Sequence, residues 1–175
     1  HTGDMGYMRD AEFLYVVGRF KSLLIASDGE KYSPEGFEDS LTDGSKFIDQ
    51  VVLHNNQDPY TTVIIVPNKD ALREYVKTQG TDPASEEGKK MMLLKLQDEV
   101  NSYRKGGSHE GMFPERWLPA AIIVADEPFT EQNHMVNSTM KIVRGKVEKH
   151  YQDRIDYALT PEGKNVLNVK NMASL

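Results

Sequence analysis

The chain contains no cysteine among its 175 residues, which excludes disulfide bonds and thiolate metal sites. Its 21 Lys and Arg residues are outnumbered by 27 Asp and Glu residues, and the net charge at pH 7 is -6. Binding to a phosphate backbone depends on clustered Lys and Arg, so this composition disfavours a nucleic-acid partner. The lack of cysteine also suits a reducing compartment, and we expect a cytoplasmic protein.

Long apolar runs are also missing. No window approaches the roughly 18 consecutive apolar residues of a membrane-spanning helix, and the first residues lack the basic and then apolar pattern of a secretory signal. Hydrophobic residues make up 38% of the chain and charged residues 27%, which is typical of globular proteins. The length suits one domain with a core, with room for a short arm from a neighbouring domain.

Several familiar catalytic signatures are absent. The chain has no Gly-x-Ser-x-Gly element, no Walker loop and no dinucleotide-binding fingerprint. Its histidines are scattered without metal-ligand spacing, so we predict no metal site and expect them at surface or loop positions. These residues are His1, His54, His109, His134 and His150.

Apolar stretches separated by turn-forming residues predict a small α+β domain preceded by a β-hairpin arm. The hairpin is predicted from the apolar stretches at 6–8 and 13–17. Two β-branched runs at 51–54 and 61–66 are joined by a turn-forming segment, so we expect them to pair antiparallel. A third buried strand at 119–124 completes a small three-stranded sheet that helices pack against.

Capping residues and apolar spacing predict the helices. Ser33 is predicted to cap the first helix and Asn68 the second. A longer helix is predicted over 82–103, and one continuous final helix over 143–158 with an apolar face. The segment beyond 160 is weakly patterned.

Two further predictions concern charged or polar stretches. The glycine-rich segment 104–112 is predicted to be an exposed loop. Arg144, Lys146 and Lys149 are predicted to form the solvated face of the final helix.

Three separated motifs carry the strongest signal: His-Thr-Gly-Asp at 1–4, Val-Gly-Arg-Phe-Lys-Ser-Leu-Leu-Ile at 17–25, and Asn-Ser-Thr-Met-Lys-Ile-Val-Arg at 137–144. In order and spacing they resemble the C-terminal end of the adenylate-forming enzymes, the superfamily of acyl-CoA synthetases, luciferases and nonribosomal adenylation domains. The resemblance implies that residues 1–18 are the tail of a large N-terminal AMP-binding domain and the approach to a hinge. Residues 19–175 are then the C-terminal lid domain, which moves against the large domain.

The resemblance assigns three residues to adenylation. It implies that Asp4 binds the ribose hydroxyls of ATP and that Arg19 contacts the ribose or a phosphate of the nucleotide. Lys141 is then the catalytic lysine, which contacts the acyl carboxylate and the α-phosphate. A positioned ammonium suits the negative charge that develops on the phosphoryl oxygens. Without the resemblance, Asp4 would be an ordinary turn residue and Arg19 a solvated arginine at the end of a strand.

Two more residues are assigned to the change between half-reactions. The resemblance places Lys21 at the hinge, where a change in backbone torsion rotates the lid domain. It places Gly29 in the loop that reaches the active site for thioester formation, where the missing side chain lets the pantetheine arm of CoA pass close to the backbone. Without the resemblance, Lys21 would be a surface lysine, and the alternative for Gly29 is an ordinary turn glycine.

The form of the third motif narrows the substrate class. The commonest version has glycine immediately before the lysine, whereas this chain has Met140, and Thr139-Met140-Lys141 resembles the long-chain fatty acyl-CoA synthetase branch. The implied activity is an ATP-dependent fatty acid:CoA ligase that uses ATP with Mg²⁺ and CoA as substrates. The lid domain alone is expected to be inactive and to bind none of them tightly. Its partners would be the N-terminal domain of the same enzyme, fatty acid and CoA, and peripheral membrane contact stays open.

Two alternatives remain. One is the lid of an amino-acid adenylation domain, in which the thiol of a carrier protein replaces CoA. The other is a non-catalytic acidic α+β module that binds a protein partner.

Overall fold

The computed structural model describes residues 4–9, 13–19 and 22–175 of the chain. It begins with an antiparallel hairpin of β1 (Asp4–Arg9) and β2 (Phe13–Arg19), which confirms the predicted hairpin arm. The register places Asp4 directly opposite Arg19 at the open end of the hairpin.

A second, very short hairpin follows. Its strands are β3 (Leu24–Ile25) and β4 (Lys31–Tyr32), and the turn between them carries Gly29. The N–H of Ile25 donates to the carbonyl of Asn55 at 3.2 Å, and the N–H of Gln57 donates to the carbonyl of Ile25 at 2.8 Å. These bonds hold the hairpin beside the turn that follows strand β5.

The main sheet has three strands in the order β5 (Ile48–His54), β6 (Thr62–Pro67) and β7 (Ala121–Val124). Strands β5 and β6 pair antiparallel as predicted, whereas β7 pairs parallel to β6. A parallel neighbour requires a long crossover, and the segment that connects them contains α2 (Lys69–Thr78) and α3 (Glu86–Asn101). The predicted α+β fold with a three-stranded sheet is confirmed.

Both faces of this sheet are covered, because successive side chains of a strand point to opposite faces. One face packs against α1 (Glu35–Gly44), α2 and α3, and includes Val63 and Ile65 of the central strand. The other face includes Ile64 and packs against residues of the 129–136 segment and of the helices that follow. Every residue of β6 is buried, which explains its unbroken apolar run.

The final predicted helix is two helices, α4 (Arg144–His150) and α5 (Gln152–Ala158), so the prediction of one continuous helix is wrong. They meet at Tyr151, whose ψ of 15° departs from helical geometry. The predicted apolar face is nevertheless buried, because Val147, Tyr151 and Ile155 all lie in the second core.

Helix starts depend on caps, and two of the predicted starts need correction. Pro34, rather than Ser33, occupies the N-cap position of α1, and no side chain caps that helix. Helix α3 begins at Glu86, because the Ser85 side chain accepts the N–H of Gly88 at 2.9 Å and caps the helix there. Asn68 caps α2 as predicted, by accepting the N–H of Ala71 at 3.0 Å.

The segment beyond 160 is more ordered than its weak pattern predicts. It forms α6 (Pro161–Lys164) and α7 (Val169–Ala173), which follow the side-chain caps Thr160 and Asn168. Asn171 is 1% exposed, and its side-chain amide accepts the N–H of Val124 at 3.0 Å and donates to the carbonyl of Ile122 at 2.9 Å. An amide side chain therefore satisfies backbone groups of β7, a polar role that hydrophobic periodicity does not predict.

Candidate functional site

Lys141 lies in a tight loop at 137–142 that its own hydrogen bonds hold closed. The side-chain oxygen of Asn137 accepts the N–H of Thr139 at 3.0 Å and the N–H of Lys141 at 2.9 Å. The N–H of Asn137 donates to the carbonyl of Lys141 at 2.9 Å, and Val136 and Ile142 form a bridge at the base. The backbone at Lys141 is thus preorganised within the loop, and Asn137 is the residue that orders it.

The side chain of Lys141 is exposed. Among residues 4–9, 13–19 and 22–175, its ammonium has no hydrogen-bond or ion-pair partner. An exposed cation on an ordered loop can be presented to an anion outside this domain without first breaking an internal pair. The structure thus shows Lys141 exposed on an ordered loop, and its catalytic role stays a prediction.

The backbone at Met140 has a conformation that suits glycine, the residue that the commonest form of the resembling motif has before the lysine. The φ of Met140 is +60°, in the left-handed region that side chains disfavour and glycine enters readily. Its side chain is 81% exposed. The loop therefore keeps the backbone conformation that suits glycine, although this chain has methionine there.

The base of the loop is anchored by Arg144, which the sequence placed on a solvated face. That prediction is wrong, because the guanidinium donates to both carboxylate oxygens of Glu38 at 2.8 and 2.7 Å and to the carbonyl of Leu53 at 2.6 Å. Glu38 also accepts the N–H of Leu53 at 2.6 Å. The side chains of Arg144 and Glu38 are only 19% and 12% exposed. Helix α4 is therefore tied to α1 and β5 directly behind the Lys141 loop.

His54 also ties α4 to β5, and its predicted surface position is wrong. Its side chain is 13% exposed, and its ring nitrogens lie 2.8 Å from a carboxylate oxygen of Glu148 and 3.3 Å from one of Asp58. No group of three or more His, Cys, Asp or Glu residues suited to holding a metal occurs in the described ranges 4–9, 13–19 and 22–175. We therefore interpret His54 as a structural contact.

The turn around Gly29 presents bare backbone. Gly29 has φ of +86°, and a Cβ built on it would meet no atom of the described residues within 4 Å. The N–H of Gly29 donates to the carbonyl of Ala26 at 2.9 Å, and the side chain of Asp28 accepts the N–H of Glu30 at 3.0 Å. The left-handed conformation favours glycine here, whereas crowding within the described part of the domain does not.

Side chains next to this turn contact the short 3₁₀ helix Glu115–Trp117, in the stretch that follows the 104–112 segment. Arg116 donates to both carboxylate oxygens of Glu30, and the ring of Trp117 stacks on Tyr32 with centroids 5.1 Å apart. The hydrogen bond from Arg116 lowers the pKa of Glu30 below its ordinary value of 4.5. The sequence contains no signal for these contacts, because the partners are far apart along the chain.

The remaining predicted site residues belong to the hairpin and the hinge. The backbone register places Asp4 opposite Arg19, so the two predicted nucleotide-contacting positions are neighbours across the hairpin. Their side chains and the whole of Lys21 lie outside the described residues. The roles of these residues and of Gly29 stay predictions.

The fold is that of the C-terminal domain of adenylate-forming enzymes. The chain superposes on the adenylation domain of a carboxylate reductase from Mycobacterium chelonae with a TM-score of 0.70 and 24% identity, over 89% of this chain and 22% of that one. The adenylation domain of a carboxylic acid reductase from Segniliparus rugosus, in complex with AMP and a co-purified carboxylic acid, superposes with a TM-score of 0.67 and 22% identity. That superposition also covers 89% of this chain and 22% of the other. No protein-family model matches the chain.

Sequence relatives narrow the resemblance. The chain is 26% identical over 159 residues to Fatty acyl-CoA synthetase B of Dictyostelium discoideum, and 26% identical over 156 residues to Long chain acyl-CoA synthetase 1 of Arabidopsis thaliana. Each alignment covers 89% of this chain but 23% of the relative, so the chain spans less than a quarter of either protein. It aligns to the C-terminal part of such enzymes, which confirms the predicted resemblance to long-chain acyl-CoA synthetases.

Proposed function

We propose that this chain is the lid domain of an ATP-dependent, AMP-forming acyl-CoA ligase for long-chain fatty acids. The observation that carries the proposal is the ordered 137–142 loop with the exposed ammonium of Lys141, which has no partner among the residues that the structure describes. The alignment to long-chain acyl-CoA synthetases supports the substrate class. The whole enzyme would use fatty acid, ATP with Mg²⁺, and CoA, and its large N-terminal domain would be the partner of this chain. We also propose a cytoplasmic location, and no helix in the described part of the chain is long and apolar enough to cross a membrane.

In the first half-reaction, a carboxylate oxygen of the fatty acid attacks the α-phosphorus of ATP and the bond to pyrophosphate breaks. Negative charge builds on the phosphoryl oxygens, and the Lys141 ammonium stabilises it. Asp4 binds the ribose hydroxyls and Arg19 contacts the ribose or phosphate, from opposing positions of the hairpin. The products are acyl-adenylate and pyrophosphate.

In the second half-reaction, the CoA thiol loses its proton, its sulfur attacks the acyl carbonyl carbon, and AMP leaves. The lid domain first rotates about Lys21, which removes Lys141 from the site and presents the Gly29 turn. The exposed left-handed backbone of Gly29 lets the pantetheine arm pass without meeting a side chain. The products are acyl-CoA and AMP.

The decisive experiment separates the two half-reactions in the full-length enzyme. We expect Lys141→Ala to slow acyl-adenylate formation by about 100-fold or more, while CoA transfer to a supplied acyl-adenylate is spared. Lys146→Ala is the matched control, because it removes an exposed lysine five positions further along, on α4. Equal losses in both steps, or equal effects of the two variants, would contradict the assignment.

An assay of the first half-reaction, pyrophosphate exchange into ATP, distinguishes the alternative functions. Pyrophosphate exchange into ATP that depends on long-chain fatty acids supports the proposed ligase. Exchange that depends on an amino acid and is indifferent to fatty acids would favour an amino-acid adenylation domain. No exchange with any carboxylate would favour a non-catalytic module.

The hinge assignment has its own test. Proline holds φ near -65°, so Lys21→Pro should impair the half-reaction whose lid orientation needs a different torsion at this position. The variant should therefore change the ratio of the two half-reaction rates. Unchanged rates in both steps would remove Lys21 from the hinge.

A further inference from the structure

The hairpin that carries Gly29 is held from one side by two consecutive residues of the 3₁₀ helix Glu115–Trp117. Arg116 reaches Glu30, the residue directly after Gly29, with two donors; its Nη2 lies 2.6 Å from Oε1. Trp117 stacks almost parallel on Tyr32, with an interplanar angle of 11°. The 3₁₀ helix thus contacts the hairpin immediately after the turn and again two residues later.

The opposite side of the hairpin is held by the sheet. The hydroxyl of Tyr32 hydrogen-bonds to that of Thr61, and the same Thr61 oxygen accepts from the side-chain amide of Asn55 at 3.1 Å. The carbonyl of Asn55 in turn accepts the N–H of Ile25. Tyr32 is therefore fixed between the sheet on one side and Trp117 on the other, while the turn itself stays exposed.

The contact between Glu30 and Arg116 has the paired-donor geometry that fixes orientation as well as distance. The guanidinium is well exposed, and exposed ion pairs contribute little to the free energy of unfolding. Two donors on two acceptor oxygens nevertheless restrict how Glu30, and hence the adjoining Gly29 backbone, can turn. The indole nitrogen of Trp117 is buried and makes no hydrogen bond of standard geometry to the described residues, although it lies near enough to help lower the pKa of Glu30.

We propose that Arg116 and Trp117 are positioning residues for the thioester-forming half-reaction, acting through Glu30 and Tyr32 on the Gly29 turn. This inference rests on the proposed function, because it concerns the step assigned to that turn. None of the four side chains has to touch the reacting atoms. They hold the bare backbone of Gly29 in the orientation that the pantetheine arm must pass, and a misplaced backbone slows such a step without changing its chemistry.

The test compares single variants and a charge-exchanged double variant of the full-length enzyme. Its second step is measured with a long-chain acyl-adenylate and CoA as substrates. Glu30→Gln and Arg116→Gln should each slow thioester formation about tenfold, while adenylation stays within about twofold of the wild type. The double variant Glu30→Arg with Arg116→Glu should recover most of the loss, because it restores the pair with reversed charges. Arg73→Gln is the control, since it breaks an exposed pair with Asp70 on α2.

The stacking role of Trp117 is tested by two replacements that differ in shape. Trp117→Phe keeps an aromatic ring to stack on Tyr32 and should preserve thioester formation, whereas Trp117→Leu keeps apolar bulk without the stack and should slow it. Both variants should keep the adenylation rate, which shows that the enzyme is folded.

Other results would overturn the inference. Unchanged rates of thioester formation in an active enzyme would rule out the positioning role. Equal losses in both half-reactions would mean that the contacts only stabilise the fold. A charge exchange without recovery would mean that Arg116 acts on its own. A wild-type enzyme that forms neither acyl-adenylate nor thioester would overturn the proposed function itself, and that failure is visible before any variant is compared.

Discussion

The loop around Lys141 and the turn around Gly29 are both exposed, yet they are held in different ways. The first is closed by Asn137 within the loop itself and anchored behind by the mostly buried contact between Arg144 and Glu38. The second is closed by hydrogen bonds between residues close together in the chain. Its flanking residues Glu30 and Tyr32 are contacted by the exposed side chain of Arg116 and by Trp117.

This difference matches what each element would present to a substrate. The Lys141 loop presents a side chain, so the backbone beneath it must be ordered while the ammonium stays free. The Gly29 turn presents backbone, so its neighbours have to be held aside and the glycine left uncovered. If both proposals hold, one domain serves two half-reactions with two elements: a loop ordered by its own hydrogen bonds, and a turn positioned by side chains from another segment.

The largest effect on stability should come from the anchor of the Lys141 loop. Arg144→Ala leaves the carboxylate of Glu38 largely buried without its partner, and we expect a loss of about 3 kcal/mol in the free energy of unfolding. Urea denaturation measures this loss. Arg73→Ala, which breaks a well-exposed pair, should cost at most about 0.5 kcal/mol. Equal losses in the two variants would mean that the Arg144 contact is no stronger than a surface pair.

An intermediate effect should come from Gly29→Ala. A side chain at φ of +86° is strained, so we expect a loss of about 1 kcal/mol in stability without a steric clash inside the domain. Gly111→Ala is a close match, because Gly111 has φ of +83° and equally open surroundings. Both variants should unfold at similar urea concentrations.

The two glycine variants should differ in the full-length enzyme. Gly29→Ala should slow thioester formation beyond what its lost stability explains, whereas Gly111→Ala should not. Stopped or quenched-flow measurement of acyl-CoA from supplied acyl-adenylate checks this. If the two variants slow that step equally, Gly29 has no special relation to CoA.

The smallest effect should come from Met140→Gly. Glycine relieves the left-handed strain at φ of +60°, and after the greater entropy of the unfolded chain is counted we expect a gain of about 0.5 kcal/mol. Ser138→Gly, at a position outside the left-handed region, should instead lower stability. Denaturation midpoints of the two variants test this, and a loss in Met140→Gly would show that the exposed methionine makes a stabilising contact.

Predictions from the sequence succeeded where the cause lies close by in the chain. Asn68 caps α2 because the N–H it accepts is three residues away, and β5 pairs with β6 because two β-branched runs flank one turn. They failed where the partner is distant. Arg144 was expected in solvent, but its carboxylate partner lies 106 residues earlier in the chain. His54 was misplaced for the same reason, since Glu148 is 94 residues away.

Local spacing and periodicity were enough to predict the α+β class and the turn at Gly29. The resemblance to acyl-CoA synthetases came from three motifs that match a known superfamily, including the one that contains Lys141. Tertiary structure decided which charges meet. Neither Arg116 with Glu30 nor Arg144 with Glu38 can be read from neighbouring residues. An ion pair between distant segments forms only after the sheet and helices have buried their apolar faces and brought those segments together.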